Sequence, residues 1–246
     1  MNGINHIKQV MKDSPYMMRR ISCLYNILHY NNAWKYNYHS NRIEFAGAFL
    51  KGTVFDIRGR DNRVFIGKKA RLSNCKITII GDNCSLIIGG GHTIVNGTSF
   101  WLQDDYSEIK IGNDFMSGKG SHIAACENTK IICGDDCMLS EDIEMRSSDS
   151  HSIFNTNTRM RINEARNITI SNHVWITAHV RILKGSYVAA HCVVGNSSLV
   201  SGKLSQSHSI YAGVPCKLMK EQIEWSKYKL AQMPEDIDGA STQENA

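Results

Sequence analysis

Ile170, Ile176, Ile182, Val188, Val194 and Val200 fall six residues apart without a break. Val174, Val180, Ser186, Cys192, Ser198 and Leu204 stand four places after each of them in turn. A helical period of 3.6 cannot sustain that rhythm over this length, and simple alternation would not leave the intervening positions so polar. A hexapeptide repeat is the signature of a parallel β-helix, in which three units close one triangular coil. Residues eighteen apart then stack in neighbouring coils. Branched aliphatic side chains suit the flat faces and the narrow interior.

Upstream, from Arg42 to Glu144, short strand-like runs end in related corners: Ile66-Gly67-Lys68-Lys69, Ile80-Gly81-Asp82-Asn83, Ile111-Gly112-Asn113-Asp114 and Gly134-Asp135-Asp136. These are expected to be earlier, less regular coils, with glycine and Asx residues tolerating the tight corners. Their spacings are not multiples of eighteen, which predicts bulges or insertions. Gly89-Gly90-Gly91 is one candidate site for them, and it lacks the lysine pattern of a phosphate loop.

The chain therefore divides into an N-terminal helical segment (1–41), a β-helix (42–217) and a C-terminal helix with a tail (218–246). In the first segment Ile4, Ile7 and Met11 share one face. Ser14-Pro15 reads as the cap and first turn of a second helix bearing Ile21, Leu24, Tyr25 and Leu28 on its packing side, ended by Asn31 and Asn32. In the last segment Met219, Ile223 and Leu230 suggest a helix from Leu218 to Leu230, stopped by Pro234. Residues 145–167 interrupt the repeat with a polar excursion, and a long excursion from a regular stack is usually functional.

Composition limits the function classes. With 246 residues, 42% apolar and 21% charged, the chain has the balance of a globular protein. No apolar run reaches the length of a membrane span and no secretion signal is seen, so a cytoplasmic protein is expected. Attachment to a membrane surface through Met18, Arg19 and Arg20 is the weaker peripheral alternative. The net charge of +5 is modest and no basic block stands out, which disfavours nucleic acid as a partner. The eight cysteines do not form a disulfide framework; Cys84, Cys137 and Cys192 sit where small inward side chains fit.

Taken together, the hexapeptide run, His173-Val174-Trp175-Ile176 and Ala212-Gly213-Val214-Pro215-Cys216-Lys217 resemble the left-handed β-helix acyltransferases of the hexapeptide family. Ser148-Asp149-Ser150-His151-Ser152-Ile153-Phe154 followed by Trp175 is similar to the branch that O-acetylates bacterial surface polysaccharides, including polysialic acid capsules. The left hand comes from this resemblance and not from spacing. It also implies acetyl-CoA as donor and a homotrimer with active sites between subunits. Thr177 and Cys216 depart from the usual glycine and alanine of the family, and Thr177 could alter the corner beside the donor channel.

Acetyl transfer to a sugar hydroxyl needs a base, stabilisation of an oxyanion and close positioning of both substrates. His151 matches the family's base. Asp149 could orient the imidazole or simply face water. Trp175 would lie beside the acetyl and pantetheine groups or form a subunit contact. Lys217, by its place in the motif, and Lys203, by charge alone, are candidates for the CoA phosphates. Arg159 and Arg161 could meet an anionic acceptor, or be solvated.

Three rivals remain. The acceptor could be a small sugar or an antibiotic. The β-helix could be a non-catalytic binding scaffold. A metalloenzyme like the γ-type carbonic anhydrases could use His173, His191 and His179. His179 lies on another corner, and such corners face solvent too far apart for one ion, so no metal is expected.

Overall fold

The structure, a computed structural model, describes residues 14–28, 31–37 and 39–230. One helix, α1 (Pro15–Leu28), precedes the strands β1 (Ala33–Tyr36) to β25 (Lys217–Lys220). The strands fall into three parallel sheets visited in rotation. Sheet A runs β1-β4-β7-β10-β13-β16-β19-β22, and sheet B runs β2-β5-β8-β11-β14-β17-β20-β23. Sheet C runs β3-β6-β9-β12-β15-β18-β21-β24, with β25 added antiparallel at its end. The result is a triangular parallel β-solenoid with three corners, A/B, B/C and C/A.

The hexapeptide reading holds where the period is clean. Trp175 pairs with Val193, and Arg181 with Leu199, eighteen residues apart. Every aliphatic of the six-residue series is buried, as are Val174, Val180, Ser186, Cys192, Ser198 and Leu204. The upstream half is less regular, as expected, and also wider, with successive coils of twenty-one to twenty-three residues. Lys76 stacks on Val54, and Glu144 on His122, at twenty-two residues. Its faces carry mostly three- and four-residue strands such as β5 (Arg63–Ile66) and β10 (Ser99–Leu102), and the four-residue strands point two side chains inward. The added width is filled by larger groups, among them the fully buried Phe55, Phe100 and Phe115.

The corner glycines have a different cause from the one expected. Gly67, Gly89, Gly112 and Gly134 do not adopt positive φ; the next residues but one or two do, at Lys69, Gly91, Asp114 and Asp136. What these glycines provide is close approach. A Cβ on Gly89 would lie 2.3 Å from the Gly112 carbonyl oxygen, and one on Gly67 would lie 2.5 Å from the Gly90 nitrogen. Gly89-Gly90-Gly91 thus lies packed between corners of adjacent coils.

Three boundaries shift. The solenoid begins at β1, which pairs with β4, and so before residue 42. The excursion starts after β16 (Glu144–Arg146). The expected C-terminal helix over Leu218–Leu230 is replaced by β25 and then an extended strap over residues 221–230. The backbone groups of β24 (Ile210–Ala212) offer an edge that captures this segment, overriding its helical pattern. The first expected helix, with Ile4, Ile7 and Met11, and the tail beyond residue 230 lie outside the described residues.

Helix α1 forms where Ser14-Pro15 predicts, with the Ser14 hydroxyl accepting from the Met17 N–H at 3.4 Å. Of the expected packing side only Tyr25 meets the solenoid, edge-on to Phe49 at 5.3 Å. Met18, Ser22 and Asn26 face the solenoid, whereas Leu24 and Leu28 are 60% and 67% exposed. Asn26 decides this: its amide donates to the Ala48 carbonyl at 3.1 Å and accepts from the Leu50 N–H at 2.8 Å. Asn32 does the same at Leu50 and Thr53. Satisfying the open strand edge of the first coil outweighs burying Leu24.

Candidate active site

The excursion leaves sheet A after β16 and rejoins at β17 (Ile168–Ile170) in sheet B, so it projects from the A/B corner. Its two arms meet in an antiparallel bridge between Phe154 and Arg161. Ile153, Phe154, Met160 and Ile162 at its tip are all exposed.

Polar contacts at the A/B corner hold its base. Arg161 donates two parallel bonds to Glu127, at 2.5 and 2.9 Å, and Glu127 also accepts from the Ser148 hydroxyl. These partners hold the Glu127 carboxyl below its ordinary range, Arg161 foremost. Asp149 accepts from Lys184 at 2.5 Å and from Asn163 at 2.9 Å, and Lys184 above all lowers its carboxyl in the same way. Asn163 is the centre of the network. Its amide nitrogen also donates to the His151 carbonyl at 2.7 Å, while its oxygen accepts from the Ile153 N–H at 2.7 Å.

His151 is exposed, and its imidazole meets no partner among the described residues. Asp149 does not orient it, because that carboxylate is committed to Lys184 and Asn163. Arg161 is likewise engaged within the chain, leaving Arg159, exposed and in a left-handed conformation, as the arginine open to an acceptor. Asn163 and Lys184 were not singled out as site residues from sequence. In the sequence Asn163 is one polar residue among several in the excursion, and its reach back to residue 151 exists only in the folded chain.

Asn163 fixes the backbone at His151, and if His151 acts on the acceptor its position depends on that amide. Asn163→Ala should lower kcat by about 10²-fold, the scale of a 1 Å misplacement, with KM for the donor unchanged. Steady-state kinetics beside a thermal unfolding curve would check this. A fall in kcat matched by a lowered unfolding midpoint would assign Asn163 to folding alone.

Trp175 opens β18 (Trp175–Ile176) on sheet C, half-buried, with its indole N–H donating to the Ser140 hydroxyl at 3.2 Å. The Thr177 hydroxyl donates to the Val194 carbonyl at 2.7 Å. Lys217, on β25, shares sheet C with Trp175; Lys203, on β23 (Lys203–Leu204), is on sheet B. In a triangular coil the A/B corner lies opposite face C. Within one chain, then, His151 and Trp175 are not brought together.

The B/C corner carries a second cluster. Asp114, Asp136, His173, His191 and His208 all have positive φ and form one column up the solenoid. The rings of His173 and His191 are 5.0 Å apart, and those of His191 and His208 stack at 4.3 Å. His179 is elsewhere, paired with Asp142 at 2.9 Å on the C/A corner. The strap runs down the column in reverse. The Ile223 N–H donates to the His208 carbonyl, and the buried Trp225 stacks on His173 at 4.2 Å and lies 5.9 Å from Trp175. Lys227 pairs with Asp136. Burial disfavours the charged form of His173, but its bonds to Asp136 and the Trp225 carbonyl and the nearby Glu224 charge outweigh that and raise its pKa.

Three buried cysteines are poorly suited to nucleophilic chemistry. Burial pushes the Cys84 and Cys126 thiols up to about 11 and Cys137 up to about 12, far from a reactive thiolate. All eight cysteines are free.

A β-solenoid with a histidine-bearing loop on one corner and an outward tryptophan on the opposite face is the frame of the hexapeptide-repeat β-helix acyltransferases. No protein-family model matches the chain. It is 32% identical over 189 residues to the polysialic acid O-acetyltransferase of Neisseria meningitidis, across 76% of this chain and 86% of that protein. It is 32% identical over 130 residues to the polysialic acid O-acetyltransferase of Escherichia coli O1:K1, a match spanning 53% of this chain and 42% of that relative. The crystal structure of the polysialic-acid-specific acetyltransferase NeuO matches with a TM-score of 0.64 at 25% identity, over 79% of this chain and 88% of that one. The chain belongs to the polysialic acid O-acetyltransferase family: it is an O-acetyltransferase built on a left-handed parallel β-helix. Among the described residues, no helix is long and apolar enough to cross a membrane.

Proposed function

We propose that this enzyme transfers acetyl from acetyl-CoA to a hydroxyl of a bacterial capsular polysaccharide of the polysialic acid class, in the cytoplasm, as a homotrimer with its sites between subunits. The observation that carries the acceptor class is the 32% identity to the Neisseria meningitidis enzyme across most of both chains. Two features support the inter-subunit site. His151 and Trp175 occupy opposite sides of one coil. The apolar tip at Ile153, Phe154, Met160 and Ile162 is exposed in the single chain, and a neighbour's face would cover it.

The chemistry is direct attack. His151 takes the proton of the acceptor hydroxyl as its oxygen adds to the acetyl carbonyl, and the tetrahedral oxyanion collapses with CoA thiolate leaving. The imidazolium then returns its proton to the thiolate. The neighbour's Trp175 packs beside the acetyl and pantetheine groups. Lys217 on the same face is suited to the CoA phosphates, a role for which Lys203 on sheet B is poorly placed. Arg159 meets the sugar carboxylate, and Arg161 serves by holding the loop.

Thermal unfolding with and without acetyl-CoA tests this. A donor at a hundred times its Kd should stabilise the native state by about 2.7 kcal/mol, and ATP should not. CoA release should then depend on added polysialic acid. A midpoint indifferent to acetyl-CoA, or release indifferent to the polymer, would overturn the donor or the acceptor respectively.

A further inference from the structure

One carboxylate on the strap meets all three imidazoles of the B/C column. Glu224 Oε2 lies 2.9 Å from His191 Nδ1 and 3.3 Å from His208 Nδ1, and Glu224 Oε1 lies 3.2 Å from His173 Nε2. The ligand atoms of His173, His191 and Glu224 all fall within 4.8 Å of one another. Two of these groups are well covered, the side chains of His173 and Glu224 being 15% and 12% exposed.

We propose that His173, His191 and Glu224, with His208 beside them, bind one divalent transition-metal ion of the zinc, cobalt or nickel class, which ties the C-terminal strap to the solenoid. Four observations converge on it. First, the ligand atoms are gathered: a tetrahedral ion with bonds of about 2.0–2.1 Å sets its ligands roughly 3.3 Å apart, Glu224 lies 2.9 Å from His191 and 3.2 Å from His173, and all three ligand atoms fall within 4.8 Å of one another. Second, the far nitrogen of His173, Nδ1, is held by Asp136. A carboxylate behind a ligating imidazole fixes its tautomer and orientation and raises its basicity. Third, imidazole with one carboxylate selects zinc-like ions over calcium or magnesium, which prefer all-oxygen shells. Fourth, the His173 ring is locked from the remaining sides by Trp225, which stacks on it and donates its indole N–H to the His173 carbonyl at 2.9 Å.

Without an ion, the proton on His173 Nε2 is shared between the Trp225 carbonyl at 3.1 Å and Glu224. Binding replaces protons at the ligating nitrogens, so it releases them to solvent. The expectation of no metal from sequence rested on the solvent-facing place of all three histidines and on His179, which is on another corner; Glu224 supplies the third ligand that His179 does not.

The test is a cobalt(II) titration of the full-length, untagged protein after treatment with a chelator. One equivalent per chain should give a saturable visible absorption band that zinc abolishes, with proton release in weak buffer. His191→Ala and Glu224→Gln should each weaken binding at least 100-fold, and Asp136→Asn about 10–100-fold. His179→Ala should change nothing. Circular dichroism of each variant separates lost ligands from a lost fold, and His191→Ala, on the half-buried corner of the solenoid and not on the strap, tests the site even if a strap variant unfolds. No saturable band in the unmutated protein overturns the proposal. So does a one-to-one band that survives both His191→Ala and Glu224→Gln.

Discussion

Replacing His151 by alanine is expected to lower acetyl transfer by about 10²–10⁴-fold, the usual contribution of a positioned general base, and to leave the stabilisation by acetyl-CoA in place. The structure makes the experiment clean. The imidazole contacts none of the described residues, so its removal costs the fold no hydrogen bond. What holds the loop is the Glu127–Arg161 pair, the Asp149–Lys184 pair and the Asn163 amide, all untouched by the substitution. The unfolding midpoint without ligand should therefore match that of the unmutated enzyme. CoA release with the polysaccharide acceptor measures transfer, and the midpoint shift with acetyl-CoA measures donor binding. Loss of both would place His151 in the donor site and not at the acceptor hydroxyl. A fall of less than tenfold would mean that another group takes the proton.

The solenoid itself shows how far residue patterns can reach. Six aliphatics at an unbroken spacing of six demand a coil that returns each to the same inward position, and Ile170 to Val200 do so in the structure. The wider coils were harder to read. Ile57, Ile79 and Leu102 stack in sheet A at steps of twenty-two and twenty-three residues, neither a multiple of six, so the period looks irregular when counted in hexapeptides. Gly67 and Gly112 were visible as corner residues, but their reason, the backbone of the next coil at less than 3 Å from any Cβ, exists only once the coils are stacked.

Long-range partners account for the remaining differences. Asp149 stands two residues from His151, and local proximity suggested a pair. Lys184, thirty-five residues away, takes that carboxylate instead. Glu224 and Trp225 bear no sequence relation to His173 or His191; a strap running back along the stack sets their meeting. Residues 218–230 have a plausible helical face, yet β24 presents unpaired backbone groups to them, and Met219 stays 65% exposed. Leu24 and Leu28 of α1 tell the same story: their pattern forecasts a helix correctly, while Asn26 selects the face.

Phe100→Ala should destabilise the chain by about 3–5 kcal/mol, the cost of truncating a buried phenylalanine, whereas Ile176→Val in the narrow coils should cost about 0.5–1.5 kcal/mol. Phe100 is fully buried on β10, between Ile77 of β7 (Lys76–Ile79) and Ile123 of β13 (His122–Ala125). A wide coil cannot close around the space its ring leaves. Each strand is held on both sides by parallel hydrogen bonds to the next coil, and the corner glycines already pack backbone against backbone. Collapse would have to shift three coils together, so the cavity should persist and its full penalty should be felt. The narrow coils carry Val, Ile, Leu, Ala, Cys and Ser along their inner faces up to Leu204, and there one methyl is a small fraction of what each position buries. Urea unfolding of the two variants at one temperature compares them directly, with the slope checking that both unfold from the same state. Near-equal losses would mean that the interior relaxes freely around residue 100. A break in the Phe100→Ala transition into two steps would mean instead that the wide and narrow halves, each contacting only its neighbours, unfold separately once the wide half is weakened.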